Sequence, residues 1–513
     1  MKRILSLLLL VALLFTFVAC SSNPSNDEET TGAVTEAPTT EAATTEAATT
    51  EAATTESPTT EAPTTEAPTT EAPTTEEVKP TPTEPILNGV HISEYSIVYS
   101  NTLDYNKRAA TYIQEEIKER TSFEIPVVKD TSDKVTDYEI VVGETTRDIS
   151  ARLDEDTTGM QFAILAEEKQ IALEGDYFVI AAAAYFFVET YIPADKFDST
   201  VPDTVSIHDP IVKEAKNYIF LIGDGMGVNQ TKLFDVLGPV SEYSACSDGE
   251  DLFYGYMFPA QGFAQTNSRT GVTDSAAGGT ALATGYKTDN GYVGMLQSRK
   301  LKSLTELAGS LGMSTAVMST DAQTGATPAA FSAHVRDRNY SDEIKASQAE
   351  LVAAYGTTLY CGANAFMTTK IEQDVVNILD DLDDNEKGFF LMYEEGYIDK
   401  HCHSNDMNAT YSAVIRFNQL IATFMEYAFY NPETFVIITA DHETGGLTDD
   451  GAGGFKYTSG GHTGANVPVF AYGYKSELFN GKTINNVQIP KTIASFWGVT
   501  NFGNSSLEGH LTE

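Results

Sequence analysis

The amino-acid sequence predicts an α/β protein in which helices cover a largely parallel sheet, with a smaller α/β domain ahead of it. Apolar runs typical of buried strands end repeatedly in charged or glycine-rich turns: YIFLIG before Asp224, STAVMST before Asp321, FFLMY before Glu394 and FVIITA before Asp441. Helical stretches separate these runs, as at residues 304–311, where Gly312 is a typical C-terminal cap. This alternation predicts layering around a parallel sheet, whose ligand sites lie beyond the C-terminal ends of the strands.

The N-terminus predicts export. Residues 1–19 have the pattern of a secretory signal peptide, in which Lys2 and Arg3 precede an apolar run that is short for a membrane span. The run ends in FVAC, which resembles the lipobox of bacterial lipoproteins, although Phe17 stands where that motif prefers leucine. We expect an exported protein that is held at the cell surface by a lipid on Cys20, with plain secretory cleavage as the alternative.

Residues 20–85 are predicted to form a disordered stalk. The units TEAPT and TEAAT place a glutamate at every fifth position over residues 35–76 and offer nothing to bury. Charge repulsion and proline extend such tracts, so the stalk would hold the following domains roughly 50 Å or more from its start. A disordered tail without a spacer role is the alternative.

The overall charge and the cysteines exclude some classes of protein. A net charge of -41 argues against binding to nucleic acid or to anionic surfaces, although part of that charge lies in the stalk. With Cys20 assigned to the anchor, Cys246, Cys361 and Cys402 remain, an odd number of widely separated cysteines. The sequence therefore predicts no disulfide framework.

Residues 86–210 are predicted to form the smaller α/β domain. Strand-like runs such as EIVVG and QIALEG mix with helical stretches over residues 105–120 and 177–191. The arrangement resembles the small α/β domain ahead of the catalytic domain in some glycoside hydrolases. Because no cluster of carboxylates or histidines accompanies it, we expect a packing or carbohydrate-proximal role. The run VIAAAAYFF is too short to cross a bilayer and is predicted to be a core helix.

Residues 211–513 hold the candidate chemistry, and the first candidates follow two predicted strands. Asp224 lies in GDGMG, where the glycines allow a sharp turn, although this motif taken singly also fits a plain tight turn. Asp441 and His442 follow FVIITA as adjacent oxygen and nitrogen donors, a pair that suits zinc. A capping aspartate beside a surface histidine is the alternative for that segment.

A second group of candidates lies in IDKHCH and GGHTG. Asp399 and His403 are four residues apart, so both side chains share one face if the segment is helical. His462 adds another imidazole just before an apolar strand. Three of the eight histidines of the chain, at positions 403, 442 and 462, thus fall in glycine-rich or acidic strand ends, and this coincidence predicts a metal centre.

Ser275 is the candidate nucleophile. It lies in VTDSAAGGTALATG, and the small residues after it predict the start of a tightly packed helix. A helix N-terminus favours a bound anion and an ionised oxygen. The segment TDSAA lacks the GxSxG pattern of serine hydrolases with a histidine base, so activation of the serine by a metal fits better.

Taken in order, GDGMG, VTDSAAGGTALATGYKT, ATPAAFSAHVRDR, IDKHCH, TADHETGG and GGHTG resemble the alkaline phosphatase family over residues 216–513. The resemblance implies one zinc on Asp399, His403 and His462, and a second zinc on Asp224, Asp441 and His442 beside Ser275. It implies a third cation, usually Mg²⁺, on Thr327, Asp224 and one glutamate of EEGYIDKHCH. In the family motif that glutamate stands five residues before the aspartate, which selects Glu394, whereas the EG pair would select Glu395; Glu394 is our prediction.

The same resemblance implies how a phosphate ester would be bound. Arg338, eleven residues after Thr327 as the family pattern requires, would hold two phosphate oxygens, and the nearby Arg336 ranks lower on spacing. Lys400 matches a lysine that some bacterial members place near the phosphate, with a solvated surface lysine as the alternative. Family members often carry Asp or His two residues before the threonine, where this chain has Gly325, and this departure puts the third metal in doubt.

The activity that the resemblance implies is hydrolysis of phosphate monoesters through a phosphoserine at Ser275. A phosphodiesterase or another hydrolase of the same superfamily is the first alternative, and a surface protein that binds metal or phosphate without catalysis is the second. The intervals between the motifs leave no room for a large inserted domain, and a homodimer is left open as the assembly.

Overall fold

The computed structural model describes residues 84–153, 157–237, 252–362 and 368–512, all within one compact unit. The predicted signal peptide, the anchor at Cys20, nearly all of the stalk and Cys246 lie outside the described residues. Of the remaining cysteines, Cys361 and Cys402 are free thiols. Among the helices that the structure describes, none is long and apolar enough to cross a bilayer.

A six-stranded sheet organises the first folded region. Its strands are β1 (Tyr95–Tyr99), β2 (Val127–Lys129), β3 (Tyr138–Val142), β4 (Phe162–Glu167), β5 (Gln170–Gly175) and β6 (Ser206–His208). The strand order is β2-β1-β3-β5-β4-β6, in which the first four are parallel and β4 is antiparallel to both of its neighbours. The mixture of strands and helices predicted for residues 86–210 is therefore present.

Two helices cover one face of this sheet. Helix α1 (Asp104–Thr121) and helix α2 (Ile180–Tyr191) pack on each other, and a 3-10 turn, Tyr177–Val179, leads into α2. The prediction of a buried helix in VIAAAAYFF is confirmed, since residues 180–184 are at most 3% exposed. On the other face, Ile149 and Leu153 pack against alternate residues of β3, β4 and β5.

An eight-stranded sheet forms the centre of the second region. Its strands are β7 (Asn217–Gly223), β8 (Ala260–Gln265), β9 (Ser314–Ser319), β10 (Thr358–Cys361), β11 (Phe389–Glu395), β12 (Thr434–Thr439), β13 (Val467–Tyr472) and β14 (Thr483–Asn485). The order is β10-β9-β11-β7-β12-β13-β8-β14, and within this sheet β13 alone runs against the others. The predicted α/β fold with a largely parallel sheet is confirmed.

Along the chain, helices connect strands of this sheet, and one more helix follows the last strand. They are α3 (Ser275–Thr284), α4 (Leu304–Leu311), α5 (Ala326–Ser332), α6 (Ser341–Tyr355), α7 (Thr368–Asp383), α8 (Tyr397–His403), α9 (Met407–Tyr430) and α10 (Gln488–Phe496). Helix α4 has the predicted bounds because Ser303 and Glu306 form a capping box at its start, and Gly312 ends it with a φ of 85°.

Shorter elements complete the described fold. They are the short strands Ile86–Leu87, Val90–His91 and Asp198–Ser199, the strand pairs Met295–Leu296 with Arg299–Lys300, Glu443–Thr444 with His462–Thr463 and Thr448–Asp449 with Phe455–Lys456, the short helices Val228–Thr231 and Phe234–Leu237, and the 3-10 turns Ile92–Glu94, Ser150–Arg152, Tyr254–Met257 and Ser476–Phe479.

The two regions share one hydrophobic core through helix α9. Arg108 of α1 donates two hydrogen bonds from its Nε, at 2.9 and 3.1 Å, to the carboxylate of Glu426 on α9. The ring of Phe178 lies 4.9 Å from that of Tyr254 and 5.8 Å from that of Phe429. The smaller region therefore packs directly on the helix that covers the large sheet.

Candidate metal and nucleophile site

Six candidate ligands meet at the C-terminal edge of the large sheet. Asp224 directly follows β7, and Asp441 and His442 follow the neighbouring strand β12. Asp399 and His403 lie on α8, just after β11, and His462 lies in the short strand paired with Glu443–Thr444. These residues form two groups of three, each with its ligand atoms within 4.8 Å of one another: Asp399, His403 and His462, and Asp224, Asp441 and His442.

Gly225 lets the turn after β7 approach helix α8. Its φ is 73°, and a Cβ placed on it would lie 2.8 Å from the Cα of Asp399. Both the left-handed backbone and the lack of space require glycine here. The glycine after Asp224 therefore serves to bring the two groups of ligands together.

In the first group, the histidine rings are oriented as in metal sites. Nδ1 of His403 lies 2.8 Å from the Gly460 carbonyl oxygen, and Nδ1 of His462 lies 2.8 Å from that of Thr273. A carbonyl oxygen only accepts, so each Nδ1 carries a proton, and Nε2 is the atom that each ring would offer to a metal. The two Nε2 atoms are 3.2 Å apart and lie 3.3 and 3.6 Å from the Asp399 carboxylate. Lone pairs and a carboxylate that converge in this way fit a cation.

In the second group, the His442 ring is oriented by Thr444. The Thr444 hydroxyl donates to Asp399 Oδ1 at 2.5 Å, so its oxygen accepts from Nδ1 of His442 at 3.2 Å. Nε2 of His442 then presents a lone pair 3.2 Å from Asp441 Oδ2 and 3.6 Å from Asp224 Oδ1. Both carboxylate oxygens are buried without a hydrogen-bond partner among the described residues. This donor set also fits a cation, and carboxylate and imidazole together are ligands that zinc accepts.

Several buried carboxyl groups lie close together at this place, and this proximity shifts their pKa values. Burial, and then repulsion from neighbouring carboxylates, raises the pKa of Asp224 and of Asp441 well above the usual range. Burial, and then proximity to His462, lowers the pKa of His442 well below its usual range. The hydrogen bond with Asp399 raises the pKa of His403 to about 9. A bound cation would remove the repulsion that opposes ionisation of the buried carboxylates.

Ser275 lies beside the second group. It is the first residue of α3, it is buried, and its Oγ lies 3.2 Å from Nε2 of His442. The ring centroids of His442 and His462 are 3.6 Å apart, so the two groups of ligands adjoin next to this hydroxyl. The predicted position of Ser275 at a helix N-terminus is confirmed.

Asp274, to which the sequence analysis assigned no role, connects Ser275 with Arg338. It is the N-cap of α3, where Oδ1 accepts from the Ala277 amide at 2.9 Å. Its Oδ2 accepts from the Gly291 amide at 2.9 Å and from Nη1 of Arg338 at 3.3 Å. Arg336, the lower-ranked arginine, is exposed. The helix-capping pattern of Asp274 is visible in the sequence, but its contact with Arg338 depends on the tertiary fold.

We expect the substitution Asp274→Ala to raise the KM for a phosphate monoester roughly tenfold, because Arg338 loses the carboxylate that directs it. The lost helix cap should also lower the free energy of unfolding by about 1 kcal/mol. Steady-state kinetics and urea unfolding measure the two effects. Asp406→Ala is the matched control, since Asp406 caps α9 through the Ala409 amide at 3.0 Å. An equal rise in KM in both variants would contradict the role of Asp274.

Glu394 and Glu395 point in different directions. Glu394 accepts a hydrogen bond from the Ser319 hydroxyl and lies on the side of the candidate ligands. Glu395 pairs with the buried Arg416, whose Nε donates to Oε2 at 2.8 Å, and it also accepts from Thr320 Oγ1 at 3.1 Å. Successive side chains of β11 point to opposite faces of the sheet, so the two carboxylates lie apart, as expected for adjacent strand residues. Glu395 is thus engaged in a structural ion pair, which leaves Glu394 as the candidate ligand.

The substitution Arg416→Leu should lower the free energy of unfolding by about 3 to 5 kcal/mol, because it leaves the carboxylate of Glu395 buried without its countercharge. Urea unfolding measures the change. Arg152→Leu is the control, since Arg152 forms an exposed ion pair with Glu167 and should contribute only about 0 to 1 kcal/mol. A change below 1 kcal/mol for Arg416→Leu would be inconsistent with an essential buried pair.

The residues predicted to hold a third cation also lie at this edge. The hydroxyl of Thr327 is buried near the Glu394 carboxylate and makes no hydrogen bond of good geometry among the described residues, and burial raises the pKa of Glu394 to about 7. Oxygen donors of this kind suit a hard cation such as Mg²⁺. Nζ of Lys400 lies 2.5 Å from Oδ1 of Asp321, a residue that the sequence analysis noted as a strand end without assigning it a role.

The fold and the site define an α/β protein with a helix-terminal serine beside two adjoining candidate metal centres. The sequence model of the alkaline phosphatase family matches residues 215–360 and 367–458. Alkaline phosphatase 4 of Bacillus subtilis is 30% identical over 301 residues, 47% of this chain and 64% of that protein. Alkaline phosphatase 3 of the same organism is 25% identical over 411 residues, 55% of this chain and 88% of that protein.

Among solved structures, alkaline phosphatase from the Antarctic bacterium TAB5 is similar, with 26% identity, a TM-score of 0.47, and coverage of 57% of this chain and 100% of that chain. The chain spans less than two thirds of the first of the two Bacillus relatives. Over residues 215–458 the chain is therefore similar to the alkaline phosphatase family.

Proposed function

We propose that this protein is a metal-dependent phosphomonoester hydrolase in which Ser275 forms a phosphoserine intermediate. The observation that carries the proposal is the position of Ser275 Oγ, 3.2 Å from Nε2 of His442 and next to two adjoining groups of Asp and His ligands. Arg338, which donates to Asp274, the residue before Ser275, supports a phosphate ester as the substrate.

The residues of the chain have separate roles in this proposal. Arg338, directed by Asp274, binds two phosphate oxygens with its planar guanidinium group. The Ser275 oxygen attacks phosphorus, the bond to the alcohol oxygen breaks, and the alcohol leaves. Water then hydrolyses the phosphoserine, which releases phosphate and restores the hydroxyl. The N-terminus of α3 directs backbone amides toward the developing negative charge.

The proposed cofactors are two Zn²⁺ ions and one Mg²⁺ ion. Zinc fits the two Asp and His groups, and Mg²⁺ fits the oxygen donors Asp224, Thr327 and Glu394. When bound, the cations supply Lewis-acid chemistry that favours an ionised serine oxygen and stabilises charge on the leaving oxygen. Their charge, with that of Arg338, would outweigh the acidic character of the whole chain at this site.

The experiment is hydrolysis of p-nitrophenyl phosphate and of bis(p-nitrophenyl) phosphate by the purified protein. We expect the monoester to be cleaved with the higher kcat/KM. Preference for the diester would favour a phosphodiesterase of the same superfamily. Lack of cleavage of both substrates by zinc- and magnesium-loaded protein would overturn the proposal and favour a non-enzymatic binding protein.

We also propose that the protein is exported and held at the cell surface by a lipid on Cys20, on the basis of the signal-like residues 1–19 and the FVAC motif. In a bacterial host, the protein should fractionate with membranes. We expect Cys20→Ala to abolish lipid modification. The processed protein should then be absent from the membrane fraction. Recovery of processed, soluble protein from the wild-type sequence would instead indicate plain secretory cleavage.

A further inference from the structure

Asp321 lies beside the residues proposed to hold the third cation. It follows β9, and its amide donates to Ser319 Oγ at 2.8 Å, while the Ser319 hydroxyl donates to Glu394. Its carboxylate is fixed through Oδ1, which accepts from the Ala322 amide at 2.7 Å and from Nζ of Lys400 at 2.5 Å. Asp321 is therefore connected both to a proposed ligand and to Lys400.

The second carboxylate oxygen of Asp321 fills the space beside Gly325. A Cβ on Gly325 would lie 2.7 Å from Asp321 Oδ2 and 2.9 Å from the carbonyl oxygen of Ala322. The backbone of Gly325, with φ -54° and ψ 150°, is accessible to any residue. Position 325, two residues before Thr327, therefore has no room for a larger side chain. The Asp321 carboxylate occupies part of the space that such a side chain would need.

One further observation indicates a cation at this place, and a second indicates what Asp321 would do for it. The hydroxyl of Thr327 is 1% exposed and lies near the Glu394 carboxylate, but it makes no hydrogen bond of good geometry among the described residues. The ammonium group of Lys400, which lies 4.3 Å from the ring centroid of Tyr397, would repel a cation bound by Glu394 unless an anion paired with it. Asp321 supplies that anion.

We propose that Asp321 is a positioning residue of the third cation site, which offsets the charge of Lys400 and is linked through Ser319 to Glu394. This proposal rests on the proposed function for the identity of the site. In this chain, an acidic side chain at the end of β9 takes the space beside Gly325. The cation that matches these oxygen donors is Mg²⁺.

The test is Mg²⁺ binding by the full-length, zinc-loaded protein, measured by calorimetric titration and by the metal content per chain. Substitution of a residue that supports metal ligands typically weakens metal binding by about 10- to 100-fold, and we expect Asp321→Asn to raise the Kd for Mg²⁺ by that factor. The zinc content should not change. Asp342→Asn, which removes an exposed carboxylate from α6, should leave the Kd unchanged. Wild-type affinity in Asp321→Asn would overturn the proposal.

A second variant separates charge compensation from damage to the fold. If Asp321 acts by offsetting Lys400, the double variant Asp321→Asn with Lys400→Gln should recover most of the lost Mg²⁺ affinity, and thermal unfolding of all variants should coincide. Weak Mg²⁺ binding that the double variant does not recover would contradict the compensation.

The outcomes for this proposal and for the proposed function are distinct. If the wild-type protein hydrolyses p-nitrophenyl phosphate while Asp321→Asn binds Mg²⁺ normally, only the role of Asp321 is wrong. If Mg²⁺ affinity falls as expected but the wild-type protein cleaves no monoester, only the proposed activity is wrong.

Discussion

The substitution Ser275→Ala is expected to lower kcat for p-nitrophenyl phosphate on the order of 10³-fold or more, because it removes the oxygen that attacks phosphorus. Metal content and thermal unfolding should stay close to wild type, since the side chain differs by one hydroxyl and Ser275 belongs to neither group of predicted zinc ligands. Quenched reactions with labelled substrate should detect a phosphoprotein in the wild-type chain and none in the variant.

Ser341→Ala is the matched control for this experiment. Ser341 is also the first residue of a helix, α6, but it is exposed. We expect its kinetics to equal those of the wild type. If Ser275→Ala kept full activity, covalent catalysis at this residue would be ruled out, and direct attack by water would replace it.

Removal of metal by a chelator should lower kcat, again by roughly 10³-fold, because the Lewis-acid contribution of bound cations is several kcal/mol. Dialysis into Zn²⁺ and Mg²⁺ should restore it. The folded state should also lose about 2.7 kcal/mol of stability for each site that had been held at 100 times its Kd. Since the pKa of His403 is about 9 in the metal-free protein, protons compete for this ligand below that pH, and chelation should become easier as the pH falls.

Two histidines on α8 provide a test of metal binding and its control. His403→Ala removes one of the three predicted ligands of the first group, and we expect it to lower both zinc content and activity. His401, two residues earlier on the same helix, belongs to neither group, and His401→Ala should keep both. Activity that survives complete chelation would contradict a metal-dependent mechanism.

The motifs of the chain were sufficient to predict its fold class and its similarity to the alkaline phosphatase family. Asp224 and Asp441 each follow an apolar run, and the ends of parallel strands share one edge of a sheet, so the sequence predicts that these two residues lie near each other. The capping box of α4 could also be predicted, because its reciprocal hydrogen bonds join two residues that are only three positions apart, Ser303 and Glu306. The domain boundaries, the ligand sets and the role of Ser275 stay predictions that the experiments above address.

Other features depended on contacts between distant parts of the chain. Spacing favoured Glu394 over Glu395, and the pairing of Glu395 with Arg416 on α9, a partner 21 residues away, agrees with that choice. The orientation of His462 depends on the carbonyl of Thr273, 189 residues earlier.

The sequence by itself determined the order of strands and helices, the similarity to the alkaline phosphatase family, and the residue types gathered at the strand ends, because these follow from local patterns and spacing. Only the tertiary structure decided which lone pairs face one another and which carboxylates remain without partners. It also decided that Asp321, four residues before Gly325, fills the space beside that glycine and pairs with Lys400. Such pairings depend on side chains from different elements that meet at distances of about 3 Å, and local sequence patterns carry no information about those distances.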